Sequence, residues 1–115
     1  INKNYSDFFH KIGQIGLSVI NDEERLKKLQ RLYWFTIEFG LLKSGSKHKI
    51  YGAGIISSKG ESENAMAKSS TKEDYNVKKI MNHDFRTDVI QDTYYVIESF
   101  DQLINSISDI KKEIA

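Results

Sequence analysis

Tyr33-Trp34-Phe35-Thr36-Ile37-Glu38-Phe39-Gly40 decides how the rest of the chain reads. Aromatic and β-branched residues fall on nearly every azimuth of a helix drawn through it, so burial on all sides is expected rather than one apolar stripe. One carboxylate, Glu38, interrupts the run. A buried carboxylate is costly unless something compensates its charge. Glu38 therefore needs a proton, a cationic partner or a metal, and a core ion pair with Arg or Lys is the plainest of the three.

Upstream, Asn21 with Glu24 reads as a capping pair opening the helix that ends in this stretch. Asp22, Glu23 and Glu24 sit at its positive end, as the helix dipole prefers. Leu26, Leu29, Leu32, Tyr33 and Ile37 form the inner stripe, Arg25, Lys27, Lys28 and Arg31 the wet side, and Gly40 the stop. The helix thus delivers Glu38 in its last turn. Before it, residues 5–20 place Phe8, Phe9, Ile12, Ile15 and Val19 at helical spacing, with Asn4 or Ser6 as N-cap. Gly13 and Gly16 each cost about 1 kcal/mol against Ala, so fraying or a break near Gly16 is expected. His10 lies among polar neighbours and reads as a surface residue.

Downstream, Leu41 to Ile56 changes to short apolar runs broken by Ser44-Gly45-Ser46, the pattern of a β-hairpin. Small residues in Tyr51-Gly52-Ala53-Gly54 mark either a bend in a strand or a close approach of backbone or ligand. Ser57-Ser58 can cap the next segment, a short helix around Glu61–Ala67, with a polar loop after it. Asp74 to Met81 reads as another short helix. His83-Asp84 reads as a turn, because two adjacent side chains seldom converge on one ion. Thr93–Ile97 has the composition of a strand. Ser99 with Gln102 opens the last helix, where Phe100, Leu103, Ile104, Ile107, Ile110 and Ile114 form a stripe. That stripe packs on the core of its own domain or serves as an oligomer contact. The fold class is mainly α with a small β component (α+β).

The 115 residues allow one domain or part of one. With 17 basic and 16 acidic residues the net charge is +1, which gives no case for nucleic acid or an anionic membrane as partner. No stretch approaches the run of about 18 apolar residues that spans a membrane. Cysteine is absent, which excludes disulfides and thiolate metal sites. A cytoplasmic location is compatible with all of this. The chain opens at Ile1 and contains no proline, where about 5% is usual. The expectation is a piece of a longer polypeptide.

Tyr33-Trp-Phe-Thr-Ile-Glu-Phe-Gly-Leu41 resembles the signature of the pterin-dependent aromatic amino acid hydroxylases. Two further stretches resemble the family in the same order. One is Tyr51-Gly-Ala-Gly-Ile-Ile-Ser-Ser58, continuing as Lys59-Gly-Glu-Ser62, and the other is Asp92-Thr-Tyr-Tyr-Val-Ile-Glu-Ser-Phe-Asp101. The similarity runs from about Tyr5 to Leu103 and is nearest to the bacterial phenylalanine-hydroxylating branch. It implies a mostly helical basket with a little sheet, of which residues 1–115 are the C-terminal part of one catalytic domain.

The resemblance also implies non-haem Fe(II) held by two histidines and one glutamate, with open metal positions. A reduced tetrahydropterin would supply two electrons, and O2 would hydroxylate the ring of L-phenylalanine to give L-tyrosine. Glu38 takes the place of the glutamate ligand. Gly54 and Ser57 match substrate-pocket residues, Trp34 the ring-binding wall, and Tyr33 a residue near the iron and pterin. The family's two histidine ligands, spaced five apart, would lie upstream, and His10, His48 and His83 match neither. The isolated chain is therefore expected to be inactive and free of iron, while the parent polypeptide is the hydroxylase. Apolar faces shaped for a larger core forgo about 1.5–3 kcal/mol per exposed Leu or Ile, so self-association is expected. Alternatives are a tyrosine or tryptophan hydroxylase, or a non-catalytic helical interaction module that keeps the scaffold.

Overall fold

The computed structural model describes residues 2–115, which form seven α-helices, one π-helical turn and four strands. The expected fold class, mainly helical with a small sheet, is what the chain adopts. Helix α1 (Lys3–Ser18) is capped by Asn2, whose side chain accepts from the Tyr5 amide. Asn4 and Ser6, the expected caps, lie inside it. The break expected at Gly16 does not occur. Phe8, Ile12 and Ile15 bury the inner face, and that burial outweighs the glycine penalties.

Helix α2 (Glu23–Tyr33) is capped by Asp22 rather than Asn21, the Asp22 carboxylate accepting from the Arg25 amide at 3.1 Å. Its register also corrects the reading of Arg31 as a wet residue. Only 15% of that side chain is exposed, and it donates to the Met81 carbonyl at 2.9 Å and pairs with Asp84. After Tyr33 the helix widens into a π-helical turn over Trp34–Glu38. The Phe39 amide reaches back five residues to the Trp34 carbonyl at 2.9 Å, and the Thr36 hydroxyl donates to the Leu32 carbonyl at 2.7 Å. Such an inserted residue re-aims the side chains on either side of it and is frequent at functional sites.

Strands β1 (Leu41–Ser44) and β2 (Lys47–Ile50) form the hairpin, turning at Gly45, where φ is +61°. The hairpin ends at Ile50. Residues 51–56 were expected to continue it, but Gly52 instead caps a short helix, α3 (Ala53–Ile56). Ser58 caps α4 (Lys59–Met66), its hydroxyl accepting from the Glu61 amide at 3.2 Å. The segment read as a polar loop contains β3 (Thr71–Asp74), followed by α5 (Val77–Met81). β3 has no apolar run to announce it. It is an edge strand held by backbone pairing to β4 (Thr93–Ile97).

The sheet order is β2-β1-β4-β3, with β4 parallel to both its neighbours and β1 antiparallel to β2. Alternation along β4 sends Tyr95 and Ile97 into one apolar cluster and Tyr94 and Val96 into another. Trp34 packs against both clusters.

The single last helix that was expected is two, α6 (Phe100–Asn105) and α7 (Ile107–Ile114). They part at Ser106, whose buried hydroxyl donates to the Leu103 carbonyl and meets the Tyr75 hydroxyl at 2.8 Å. Nor is Ser99 a side-chain cap: Gln102 instead accepts from the Glu98 amide at 2.7 Å. Among the described residues no helix is long and apolar enough to cross a membrane. Phe9 and Leu17 of α1, and Ile20 in the turn after it, are exposed apolar residues.

Candidate functional site

The stretch expected to be buried throughout is buried at Phe35, Thr36, Ile37, Phe39 and Gly40, and half-buried at Tyr33, Trp34 and Glu38. These three residues bracket the π turn, Tyr33 just before it and Trp34 and Glu38 at its two ends. No ion pair or side-chain hydrogen bond engages the Glu38 carboxylate among the described residues, so the plain reading of a core ion pair within this chain fails.

The backbone behind Glu38 is tightly fixed. A Cβ on Gly52 would lie 2.5 Å from the Glu38 carbonyl oxygen and 2.6 Å from the Gly40 nitrogen. A Cβ on Gly54 would lie 2.8 Å from the Phe39 ring. Both glycines therefore serve close approach of backbone and ring, and the bend-in-a-strand alternative falls. α3 is pressed onto the C-terminal end of the π turn, which brings Gly54 beside Glu38 and Phe39. Ser57, at the C-terminal end of α3, is exposed, and its hydroxyl reaches the Gly54 carbonyl only at 3.4 Å.

Trp34 is held from three directions. Its indole stacks on Phe85 with centroids 4.5 Å apart and planes 12° apart, and leans on Phe39 at 4.5 Å from the other flank. Its Nε1–H donates to Gln91 Oε1 at 3.1 Å. Tyr33 sits 6.2 Å from Phe9 of α1, ring to ring.

Two residues near this surface were not singled out in the sequence. Tyr5 of α1 carries a hydroxyl whose pKa is raised, first by burial and then by the neighbouring Tyr33 and Glu38. Its place at the edge of the α1 apolar stripe was the only available signal. Tyr51 packs edge-on against Tyr5 and Phe100, its hydroxyl buried without a hydrogen-bond partner and its pKa pushed well up by burial.

The histidines do not join Glu38. His10 is exposed on α1, and His48 lies on β2. His83 and Asp84 diverge, His83 Nδ1 meeting the Tyr95 hydroxyl at 2.8 Å while Asp84 pairs with Arg31. Among the described residues no three of His, Asp and Glu are grouped to hold a metal. The donor present fits one position of an iron site: a half-exposed carboxylate oxygen on a turn backed closely by Gly52, with no cation paired to it among the described residues.

The family model described as biopterin-dependent aromatic amino acid hydroxylase matches residues 1–115. Phenylalanine-4-hydroxylase of Ralstonia nicotianae is 42% identical over 107 residues, 92% of this chain and 34% of that protein. Tyrosine 3-monooxygenase of Schistosoma mansoni is 36% identical over 103 residues, covering 90% of this chain and 22% of its own length. The iron- and phenylalanine-bound structure of Chromobacterium violaceum phenylalanine hydroxylase superposes with a TM-score of 0.88 at 35% identity, over 99% of this chain and 44% of that one. Fold and sequence agree on one family. The chain belongs to the biopterin-dependent aromatic amino acid hydroxylases. It spans about a third of the length of the Ralstonia nicotianae phenylalanine-4-hydroxylase.

Proposed function

We propose that this chain is the C-terminal part of the catalytic domain of a non-haem iron, tetrahydropterin-dependent monooxygenase that converts L-phenylalanine to L-tyrosine with O2. The observation that carries the reading is the Glu38 carboxylate, unpaired among the described residues and set on the same π turn as the immobilised Trp34. Glu38 would hold Fe(II) together with two histidines from elsewhere in the parent polypeptide. Iron and reduced pterin, when bound, supply O2 activation and two electrons.

The remaining chemistry belongs to this chain. Trp34, braced by Phe39 and Phe85, forms one wall for the substrate ring and keeps water from it. Gly54 keeps that wall clear of a side chain, and the exposed Ser57 hydroxyl offers a hydrogen bond at the pocket's rim. Tyr33 stands beside the metal position, on the side facing α1.

Phenylalanine is favoured because the bacterial relatives at 42% and 39% identity are phenylalanine hydroxylases. The similarity to tyrosine 3-monooxygenase keeps tyrosine as the second substrate. Comparing kcat/KM for the two amino acids in the full-length polypeptide decides between them. Glu38→Gln in that polypeptide tests the reading itself: hydroxylation should disappear, whereas a non-catalytic interaction module would be indifferent to the change. Pterin-dependent hydroxylation by the 115-residue chain alone would contradict the assignment of a single metal ligand to it. Self-association of the isolated chain belongs to the same reading, supported by the exposed apolar residues of α1, where Leu17 is 73% exposed. A monodisperse monomer in light scattering would count against it.

A further inference from the structure

Behind Trp34 lies a buried polar network that nothing in the metal or pocket chemistry uses. Gln91 is 7% exposed and Glu61 6% exposed. Glu61 accepts from the Gln91 amide at 2.9 Å through one oxygen and from the Tyr94 hydroxyl through the other. Asn64 donates to the Gln91 carbonyl and, at 2.8 Å, to the Tyr94 hydroxyl, which closes the ring of contacts. No cation pairs with Glu61 among the described residues. A buried carboxylate held only by neutral donors is an expensive way to fill space between α4 and β4, where apolar side chains would pack at less cost.

What the network fixes is the irregular segment between α5 and β4. That segment supplies Phe85 to the face of the Trp34 indole and Gln91 to its edge. The orientation of the Gln91 side-chain amide is also determined. Its Nε2 donates to the Arg86 carbonyl at 2.8 Å and to the Val89 carbonyl at 3.3 Å, so Oε1 must face the indole N–H. Stacking fixes the plane of the indole but allows it to slide and turn within that plane. The hydrogen bond from Nε1 to Gln91 removes this freedom.

We propose that Gln91 is a positioning residue for Trp34, and that Glu61, Asn64 and Tyr94 hold Gln91 in register so that the wall facing the substrate ring is set from behind. The inference rests on the reading of Trp34 as that wall. Gln91 acts through the Trp34 edge, so its effect should fall on recognition of the aromatic amino acid and not on the pterin.

The test uses the full-length polypeptide loaded with iron and assayed with reduced pterin and phenylalanine. Gln91→Met keeps the side-chain length and removes the acceptor, together with the Nε2 donations to the Arg86 and Val89 carbonyls. It should raise KM for phenylalanine about tenfold, the equivalent of one hydrogen bond to a half-buried group. KM for the pterin should stay within about twofold, and kcat should change less than the phenylalanine KM. Trp34→Phe should raise the phenylalanine KM as well, and Gln91→Met added to it should do little more, because the two changes remove the same contact. Should Gln91→Met fail to fold, replacing Trp34 by benzothienylalanine, which has the shape of the indole without its N–H, removes the same bond and should reproduce the tenfold rise.

If Trp34→Phe raises the phenylalanine KM while both Gln91→Met and the benzothienyl replacement leave it unchanged, the positioning role is overturned and the wall reading stands. If Trp34→Phe itself leaves KM unchanged, the wall reading falls and this inference with it. Equal rises in both KM values with a lowered kcat, unaltered in the Trp34→Phe background, would mean general loosening and would overturn it too.

Discussion

Trp34 and Glu38 begin and end the same five-residue π turn, yet the chain treats them in opposite ways. Trp34 is stacked on Phe85, packed against the tilted ring of Phe39 and hydrogen-bonded at its edge. Glu38 has its backbone pinned by Gly52 while no partner among the described residues engages its carboxylate. On the proposed reading, the half of the site that would recognise an apolar ring is built from packing within this chain, between residues as far as 57 apart. A charged ligand would instead await a cation whose other ligands come from elsewhere. The contrast teaches that a chain can preorganise a surface completely and still leave its chemistry open.

The largest effect should come from Glu38→Gln. Loss of a ligand should exceed the roughly 10–100-fold cost seen for partners one shell further out, so iron content and hydroxylation in the full-length polypeptide should fall together by more than about 100-fold. Retained activity would erase the difference between the two residues. Gly52→Ala comes next. Its Cβ would meet backbone, which cannot swing away, so about 1–3 kcal/mol of stability should be lost in denaturant unfolding, with iron affinity weakened as the turn shifts. A neutral result would show that the backbone behind Glu38 is not tightly held.

Asp84→Asn should have the smallest effect, on the Trp34 side. Arg31 holds the Asp84 carboxyl below its usual pKa, by hydrogen bond and then by charge. A lowered folded-state pKa contributes stability that is present above the unfolded value near 3.8 and lost as pH falls through the folded value. Asp84→Asn should therefore cost a little stability at neutral pH, nothing at low pH where the charge is already lost, and so flatten the acid limb of the stability profile. Thermal unfolding between pH 2 and 7 reads this directly.

Much of the helical framework was legible because helices announce themselves locally. The stripe of Phe8, Ile12 and Ile15 and the cap at Ser58 needed no partner to be recognised. β4 was legible for a related reason, since a strand buried on both faces is apolar along its length. β3 was not, because Thr71–Asp74 is a strand only through its pairing with β4. The break at Ser106 depends on Tyr75, 31 residues away.

The candidate site divides in the same way. Glu38 stood out as a lone carboxylate in an apolar run, and motif resemblance added Trp34, Gly54 and Ser57. The π turn that Tyr33, Trp34 and Glu38 bracket could not be read from spacing, because spacing assumes an ordinary helix. Gln91 and Glu61 gave no local signal. Their contacts to one another and to Trp34 cross about 30 to 57 residues of chain, and only the folded chain makes them visible.

The most direct measurement is a crystal structure of the full-length polypeptide with Fe(II) bound. The account predicts Glu38 in direct contact with the metal and the Trp34 indole still hydrogen-bonded to Gln91. A Glu38 carboxylate paired with an Arg or Lys from the rest of the polypeptide, with iron held by other groups, would contradict it.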